Sequence, residues 1–474
     1  MTAQLLRGAQ VLDGTGAPAR QLDVRIEGAR IAAMGPQLDA DGARVLDCDG
    51  LTLTPGFVDV HTHDDAQVLR EPAMWAKLSQ GVTTVITGNC GLSLVPLVTP
   101  SPISPLDLLH PDHFRYPDLN AYAQAVAQAQ PAVNVAALIG HTSLRAQAMA
   151  SMERPALADE LTQMCAQLDQ AMRQGALGLS SGLFYQPAFA ADPQEMHALT
   201  RVLGAHGGVY VTHLRSEMDE VLPAMQEAAD AALAGGVPWV LSHHKCAGPR
   251  NWGRSLQTLA LLDRLAQRQA LGLDAYPYTA GSTLLREDLV DGVIDILITR
   301  STPHPEMAGR WLREVAQEWG VDQLSACRRL MPGGACYFQI DEADLRRVLA
   351  HPLTMIGSDG LPHDARPHPR LWGSFARVLG HYCREERLLE LPQAVHKMSG
   401  LSAQRFGLNG RGVLRPGAAA DLVLLDTERV RDTATYAEPV RQSEGIHRVM
   451  VNGQWALIDG APTGVHSGAF LRRG

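Results

Sequence analysis

LTLTPGFVDVHTH at residues 51–63 and GVTTVITGNCG at residues 81–91 are short runs of apolar and β-branched residues that end in polar side chains. Such runs are typical of strands buried on both faces of a parallel sheet. Further runs follow, separated by longer segments rich in Ala, Leu and Gln that favour helices: VNVAALIGH (133–141), GALGLSSGL (175–183), GVYVTHLR (208–215), VPWVLSHH (237–244), LGLDAYPY (271–278) and LTMIGSD (353–359). Eight strands alternating with helices predict an α/β fold, a (β/α)8 TIM barrel, with its active site at the carboxyl ends of the strands.

The two ends of the chain have a different pattern. Residues 1–54 contain short alternating strands separated by turns with glycine, and residues 411–474 repeat the pattern, with the hairpin dipeptide NG at 452–453. Because neither end suffices for a sandwich alone, we expect both to form one small β-sandwich domain. Residues 55–410 then form the barrel, and the long gap at about 284–351 predicts an insertion, a lid or subdomain, between strands 7 and 8.

The composition excludes several classes of protein. The chain has 474 residues, of which 46% are apolar and 19% charged, and a formal net charge of −9. It shows no basic patch that would predict nucleic-acid binding and no run of about eighteen apolar residues that would predict a membrane span. The start of the sequence lacks the pattern of a signal peptide. Because the seven cysteines form no CxxC pair, we expect a cytoplasmic protein without a disulfide framework.

Side chains that can bind metals end five of the eight runs, always at the same end. They are His61 and His63, Cys90, His213, His243, and Asp359. A single histidine or cysteine at a strand end is more often structural. The carboxyl ends of barrel strands all meet at one face, however. The coincidence at that face therefore predicts a metal site.

The types of ligand indicate the metal. Imidazole and thiolate groups favour zinc over magnesium or calcium. Cys90, His213 and His243 would leave open the fourth position that a catalytic zinc site needs, and the HxH pair at 61–63 could hold a second, weaker metal. Asp359 would then act as the general base and afterwards protonate the departing amine.

These motifs resemble those of the N-acyl-D-amino-acid deacylases (D-aminoacylases) within the amidohydrolase superfamily. The matching segments occur in the expected order across nearly the whole barrel: HTHDD (61–65), GVTTVITGNCGLS (81–93), THLRSE (212–217), SHHK (242–245), DAYPYTAGST (274–283) and GSDGLPHDARPHPRLWG (357–373). The resemblance implies one tightly bound zinc on Cys90, His213 and His243. It implies a second metal position, weakly occupied or dispensable, at 61–63, and it makes Asp359 the catalytic acid and base.

The resemblance also implies how the substrate is held. Arg370 would clamp the α-carboxylate, since its planar guanidinium meets a carboxylate through two hydrogen bonds. Lys245, Tyr276 and Ser282 would assist it. The implied reaction is zinc-dependent hydrolysis of the amide bond of an N-acyl-D-amino acid, a small-molecule substrate, to a carboxylate and a free D-amino acid.

Two questions stay open on the sequence alone. Members of the family split between neutral or hydrophobic side chains and acidic ones such as D-glutamate. Arg286 could bind a side-chain carboxylate, or pair with Glu287 or Asp288, and the lack of a clear second set of arginines favours neutral and hydrophobic substrates.

The alternative activity is that of another amidohydrolase, acting on a cyclic amide, as hydantoinases and dihydroorotases do, or on a dipeptide with a D residue. The absence of lysine from the fourth run, ALGLSSGL, disfavours the cyclic amide.

Overall fold

The computed structural model describes residues 3–473 of the chain. Its strands are β1 (Gln4–Val11), β2 (Arg20–Glu27), β3 (Arg30–Gly35), β4 (Arg44–Asp47), β5 (Thr52–Pro55), β6 (Phe57–Asp59), β7 (Val82–Thr87), β8 (Asn134–Gly140), β9 (Gly178–Gly182), β10 (Val209–His213), β11 (Trp239–Leu241), β12 (Leu271–Ala275), β13 (Gly281–Leu284), β14 (Ile296–Ser301), β15 (Gly333–Tyr337), β16 (Thr354–Ile356), β17 (Leu422–Leu425), β18 (Ile446–Val451), β19 (Gln454–Ile458) and β20 (Ala461–Pro462). Its α-helices are α1 (Gln67–Arg70), α2 (Trp75–Leu78), α3 (Leu119–Ala129), α4 (His141–Ala148), α5 (Ala158–Arg173), α6 (Gln186–Phe189), α7 (Pro193–His206), α8 (Val221–Gly235), α9 (Ser255–Ala266), α10 (Leu312–Glu318), α11 (Gln323–Leu330), α12 (Glu342–Ala350), α13 (Arg370–Arg377), α14 (Leu391–Met398) and α15 (Gly400–Arg405). None of the helices in this part of the chain has both the length and the apolar character needed to cross a membrane.

Local sequence signals set the ends of the helices, as α7 illustrates. The side chain of Asp192 accepts a hydrogen bond from the backbone N–H of Glu195, and Pro193 occupies the first turn, where a missing N–H costs little. The helix ends at Gly207, whose φ of 63° is a left-handed conformation that glycine adopts without steric cost. The chain therefore leaves the helix at a fixed point and returns to the barrel as β10.

The barrel is built as the sequence predicts. Strands β6 to β12 and then β16 lie side by side, all parallel, and their residues are buried. The first and last strands also approach each other, since Thr62 bridges Gly360 and the N–H of Asp359 donates to the carbonyl oxygen of His61 at 2.8 Å. The predicted (β/α)8 barrel is thereby confirmed. Its closure places His61 beside Asp359.

Both ends of the chain contribute to one sheet of nine strands, β1–β5 and β17–β20. The ends meet in the antiparallel pair of β5 and β17, in which Leu53 lies opposite Leu424. These two side chains belong to an apolar cluster that also holds Leu6, Val24 and Met450. The termini thus form a small β domain with its own core, which agrees with the alternation in their sequences.

Gly56 is the single residue between β5 of this sheet and β6 of the barrel. A Cβ at this position would overlap the side chain of Thr83 on β7. Only glycine therefore allows the chain to pass this close to the neighbouring strand. The terminal sheet is in this way fixed against the first barrel strand, five residues before His61.

The chain between β12 and β16 forms a subdomain. Its strands β13, β15 and β14 make an antiparallel sheet, on which α10 and α11 pack. Ile298, Leu312, Leu330 and Tyr337 are buried in a separate apolar cluster there. This subdomain lies over the carboxyl ends of the barrel strands and contributes side chains to the cavity described below.

Strands β9 and β10 approach each other closely at Gly178, and we expect stability to depend on this contact. A Cβ on Gly178 of β9 would overlap the backbone carbonyl of Val209 on β10. Gly178→Ala should therefore lower the free energy of unfolding by about 3 kcal/mol, because backbone atoms cannot move aside without breaking the ladder. Denaturant unfolding, followed by tryptophan fluorescence, measures the change.

Gly272 on β12 supplies the matched control. The atoms nearest to a Cβ there would be Nε of Arg405, at 3.1 Å, and Cε of Met355, at 3.3 Å, both on long side chains that can adjust. Gly272→Ala should change stability by less than about 1 kcal/mol. Equal effects of the two substitutions would contradict the packing described for β9 and β10.

Candidate metal centre and active site

Cys90 lies at the centre of the site, in the loop that follows β7, and is 2% exposed. Its Sγ is 3.2 Å from Nε2 of His61 and 3.4 Å from Nε2 of His243. The backbone of Cys90 is left-handed, with φ of 54°, as it is at His243 (33°) and Asp359 (50°). Such conformations cost on the order of 1–3 kcal/mol in non-glycine residues and concentrate at functional sites. The surrounding fold therefore holds these three side chains in strained positions that aim them at one point.

The predicted ligands are brought together in two overlapping groups. In each group, the possible ligand atoms all lie within 4.8 Å of one another. One group consists of Cys90, His213 and His243, and the other of His61, His63, Cys90 and Asp359. Cys90 belongs to both groups, so its sulfur is shared by two candidate metal positions.

The chemical states of Cys90 and His213 in the first group fit a metal such as zinc. Both ring nitrogens of His213 are buried and lack a hydrogen-bond partner within residues 3–473. Burial lowers the pKa of His213, which keeps the imidazole neutral. Burial would raise the pKa of the Cys90 thiol, but His61 and His243 outweigh it and hold that pKa well below its usual range. A thiolate and a neutral imidazole are the forms in which these residues bind zinc.

Two carboxylates that were not among the predicted site residues contact the histidines. Oε1 of Glu217 is 3.0 Å from Nδ1 of His243. Asp274 is 3.2 Å from Nδ1 of His61 and accepts a hydrogen bond from the backbone N–H of His243 at 2.9 Å. Carboxylates in this position fix the tautomer and the direction of a metal-binding histidine. Both residues lie within the motifs at 212–217 and 274–283, and this position in the motifs is the only sequence feature that points to a role in the site.

A buried ion pair behind the site joins the first and last barrel strands. Nζ of Lys77 is 2.8 Å from Asp59 and 2.8 Å from Oγ of Ser358. Asp59 also accepts a hydrogen bond from the backbone N–H of Ser358 at 2.8 Å. Because Ser358 precedes Asp359 directly, this network sets the position of that carboxylate.

One carboxylate oxygen of Asp359 faces the candidate metal positions, and the other contacts the guanidinium of Arg370. Its Oδ1 is 3.2 Å from Nε2 of His63, and its Oδ2 is 2.8 Å from Nη1 of Arg370. Burial would raise the pKa of Asp359, but Arg370 and His61 lower it well below the usual range. The carboxylate is therefore ionised and able to accept a proton.

Arg370 and its neighbours form a cluster of hydrogen-bond donors next to this carboxylate. The guanidinium of Arg370, at 1% exposure, lies over the ring of Tyr276 at 4.5 Å, and its Nη2 donates to the carbonyl oxygen of Ser282 at 3.0 Å. Within the described part of the chain, no hydrogen-bond partner reaches Nε of Arg370, Oη of Tyr276 or Oγ of Ser282, although all three atoms are buried. These residues line the cavity that also contains Cys90 and Asp359.

Lys245 lies in the same cavity with its ammonium group already engaged. Its Nζ is 2.6 Å from Oε1 of Glu217 and 2.9 Å from Nδ1 of His243. The structure thus places Lys245 beside the donor cluster and in contact with a candidate metal ligand.

The remaining walls of the cavity are mostly apolar. They include Leu108, Phe184, Met218, Leu289 and Leu361. Arg286, considered above as a partner for an acidic side chain, lies behind this wall. Its guanidinium stacks on Phe184 at 4.3 Å and pairs with Asp288 at 2.9 and 2.7 Å.

Known proteins similar to this chain share its length and its fold. The amidohydrolase family model matches residues 44–276 and 320–456. The D-aminoacylase of Alcaligenes xylosoxydans xylosoxydans is 47% identical over 470 residues, which cover 99% of this chain and 97% of that protein. The N-acyl-D-aspartate deacylase of the same organism is 48% identical over 462 residues, with coverage of 97% and 93%. The structure of N-acyl-D-glutamate deacylase from Bordetella bronchiseptica, solved with zinc and a phosphonate mimic of the tetrahedral intermediate, has 45% identity and a TM-score of 0.94 over 99% of both chains.

A (β/α)8 barrel with a histidine and cysteine cluster at the carboxyl ends of its strands defines a metal-dependent hydrolase. The chain belongs to the amidohydrolase family, in the group that contains the D-aminoacylase and the two N-acyl-D-amino-acid deacylases just described. The resemblance stated from the sequence motifs is therefore confirmed.

The shared sulfur leads to a prediction about metal content. Cys90→Ser should retain less than about a tenth of the zinc bound by the unaltered protein after dialysis, because it removes the thiolate common to both positions. Replacing His61 and His63 together by alanine should leave about one equivalent of zinc, because the other group keeps all its ligands. Elemental analysis by mass spectrometry measures both.

Cys165→Ser is the control for this experiment, since Cys165 is a half-buried thiol on α5, outside both ligand groups. It should bind zinc as the unaltered protein does. Undiminished zinc in Cys90→Ser would show that this cysteine is not a metal ligand.

Proposed function

We propose that the protein is a zinc-dependent deacylase that hydrolyses the amide bond of N-acyl-D-amino acids with neutral or hydrophobic side chains. The observation that carries this proposal is the set of buried donors on Arg370, Tyr276 and Ser282, which lack partners among residues 3–473 and lie beside the metal-binding cluster. An α-carboxylate would satisfy all of these donors at once, and buried donors need such partners. The D configuration is supported by the three relatives, whose names specify D-amino acids.

The proposed metal content is one tightly bound zinc on Cys90, His213 and His243, and a second, weaker position at His61 and His63. Both groups depend on the same sulfur, and two divalent cations this close repel each other. A second ion should therefore bind with lower affinity than the first. The relative solved in complex with zinc supports the choice of metal.

The mechanism follows from the placement of Asp359. Cys90, His213 and His243 would hold a zinc ion, which would polarise the acyl oxygen and make the attacking water more acidic. Asp359, ionised because Arg370 and His61 hold its pKa low, takes the proton of the water. It then transfers this proton to the nitrogen of the departing D-amino acid. Arg370 lies 2.8 Å from Asp359, so a carboxylate held by the guanidinium keeps the amide nitrogen within reach.

The preference for neutral side chains rests on the cavity wall. Leu289, Met218 and Leu361 would surround a substrate side chain, and a carboxylate buried against them would lose its hydration without compensation. Arg286 does not line the cavity, and its guanidinium is paired with Asp288. The cations that face the cavity, Arg370 and Lys245, are already assigned to the α-carboxylate region in this proposal.

We also propose that the enzyme works in the cytoplasm. None of the seven cysteines forms a disulfide bond. Burial raises the pKa of several of them, for example to about 11 at Cys246 and at Cys327, which keeps them protonated and unreactive. Free thiols of this kind suit a reducing compartment.

Asp359→Asn tests the proposed acid and base. The amide cannot accept a proton, so kcat should fall by at least about a thousandfold while zinc content stays unchanged. Steady-state assays of amine release, alongside elemental analysis, measure both quantities. Turnover within tenfold of the unaltered enzyme would rule out this role for Asp359.

A comparison of substrates tests the proposed reaction. We expect kcat/KM for N-acetyl-D-methionine to exceed that for N-acetyl-D-glutamate by about tenfold or more, because the apolar wall penalises a second carboxylate. The L enantiomer of N-acetylmethionine should react far more slowly than the D enantiomer. If zinc is bound and none of these compounds reacts, the alternatives, a cyclic amide or a dipeptide with a D residue, become the substrates to assay.

A further inference from the structure

Gln339 lies in the segment that follows β15, and hydrogen bonds hold its backbone in place. Its carbonyl oxygen accepts hydrogen bonds from the N–H of Gly248 at 2.9 Å and from Nε1 of Trp252 at 3.0 Å. Its own N–H donates to the carbonyl oxygen of Tyr337 at 3.0 Å. The position of its Cα is therefore set by the barrel on one side and by the inserted subdomain on the other.

The side-chain amide of Gln339 lies in the cavity and has no hydrogen-bond partner within residues 3–473. The residue is only 7% exposed, and it lines the same cavity as Arg370 and Tyr276. Among residues 3–473, no side-chain hydrogen bond engages this amide, although the side chains of many other glutamines are engaged. The amide opens on the cavity, so its N–H groups are donors that a bound substrate can engage.

Gly281 leaves room for that partner beside Tyr276. A Cβ on Gly281 would lie 3.3 Å from Nε2 of Gln339 and 3.4 Å from Oη of Tyr276. The two polar atoms therefore lie over the same bare stretch of β13, next to Ser282. The amide donor of Gln339 is in this way directed to the region of the free hydroxyl groups, and not to the apolar wall at Leu289.

We propose that Gln339 is a further substrate-binding residue, whose amide N–H donates to the α-carboxylate of the substrate. This inference rests on the proposed function, since it assumes a substrate with that carboxylate. Arg370, Tyr276, Ser282 and Gln339 then surround the carboxylate with donors from α13, from the end of β12 and from the inserted subdomain. The subdomain thereby takes part in recognition of the feature that all substrates share.

Gln339→Met tests the proposal, since methionine has a similar length and no donor. A hydrogen bond to a charged group contributes about 1.5–3 kcal/mol, so KM should rise by about tenfold or more, with kcat within about twofold. Gln339→Glu should raise KM further, because it places a second carboxylate against the first. The assay uses the zinc-loaded enzyme and N-acetyl derivatives of D-methionine, D-leucine and D-alanine.

The series of side chains distinguishes the proposed contact from a contact with the side chain. Because all three substrates carry the α-carboxylate, Gln339→Met should raise KM by the same factor for each. An increase that disappears with D-alanine would assign Gln339 to side-chain recognition and overturn the proposal. An unchanged KM for all three would overturn it as well.

Two further variants complete the design. Gln317→Met makes the same chemical change at an exposed position on α10 and should leave KM unaltered. Gly281→Ala fills the space between Gln339 and Tyr276 and should raise KM even if Gln339→Met does not fold. Failure of the proposed function is recognised separately, because the unaltered enzyme would then release no amine from any of the three substrates.

Discussion

The site depends on one interaction, the placement of the Cys90 thiolate among imidazole groups in a buried pocket. An ionised sulfur removed from water is costly unless positive charge lies close to it. His61 and His243 approach it within 3.2 and 3.4 Å, and a metal at either adjacent position would add to this compensation. The left-handed backbone conformation of Cys90 directs the sulfur to this point, so the strained backbone helps to place the candidate ligand.

Contacts between the barrel and the terminal sheet, and between the first and last barrel strands, hold the site in place. Gly56 fixes the terminal sheet against the first barrel strand, and the network of Lys77, Asp59 and Ser358 holds the last strand against the first. These contacts bring His61 and Asp359 together across the closure of the barrel. The inserted subdomain then adds Ser282 and Gln339 to the wall of the cavity, opposite the candidate metal ligands that the barrel strands supply.

The barrel and the candidate metal ligands could be predicted because each barrel strand is an apolar run that the sequence shows locally. A short apolar run that ends in His, Cys or Asp indicates both a buried strand and a possible ligand, and parallel strands bring such ends together. The orienting residues have no such signal. Glu217 and Asp274 act on His243 and His61, which lie elsewhere in the sequence, so their roles follow only from the closed barrel. For the same reason the sequence left open whether Arg286 binds substrate or Asp288.

X-ray absorption at the zinc edge can determine whether a sulfur ligand holds the catalytic zinc. The sample is the protein loaded with one equivalent of zinc. If Cys90 binds the zinc, we expect one sulfur scatterer at about 2.3 Å together with nitrogen or oxygen ligands at about 2.0–2.1 Å. A first shell made only of nitrogen and oxygen would contradict the claim, because the metal would then lie away from Cys90.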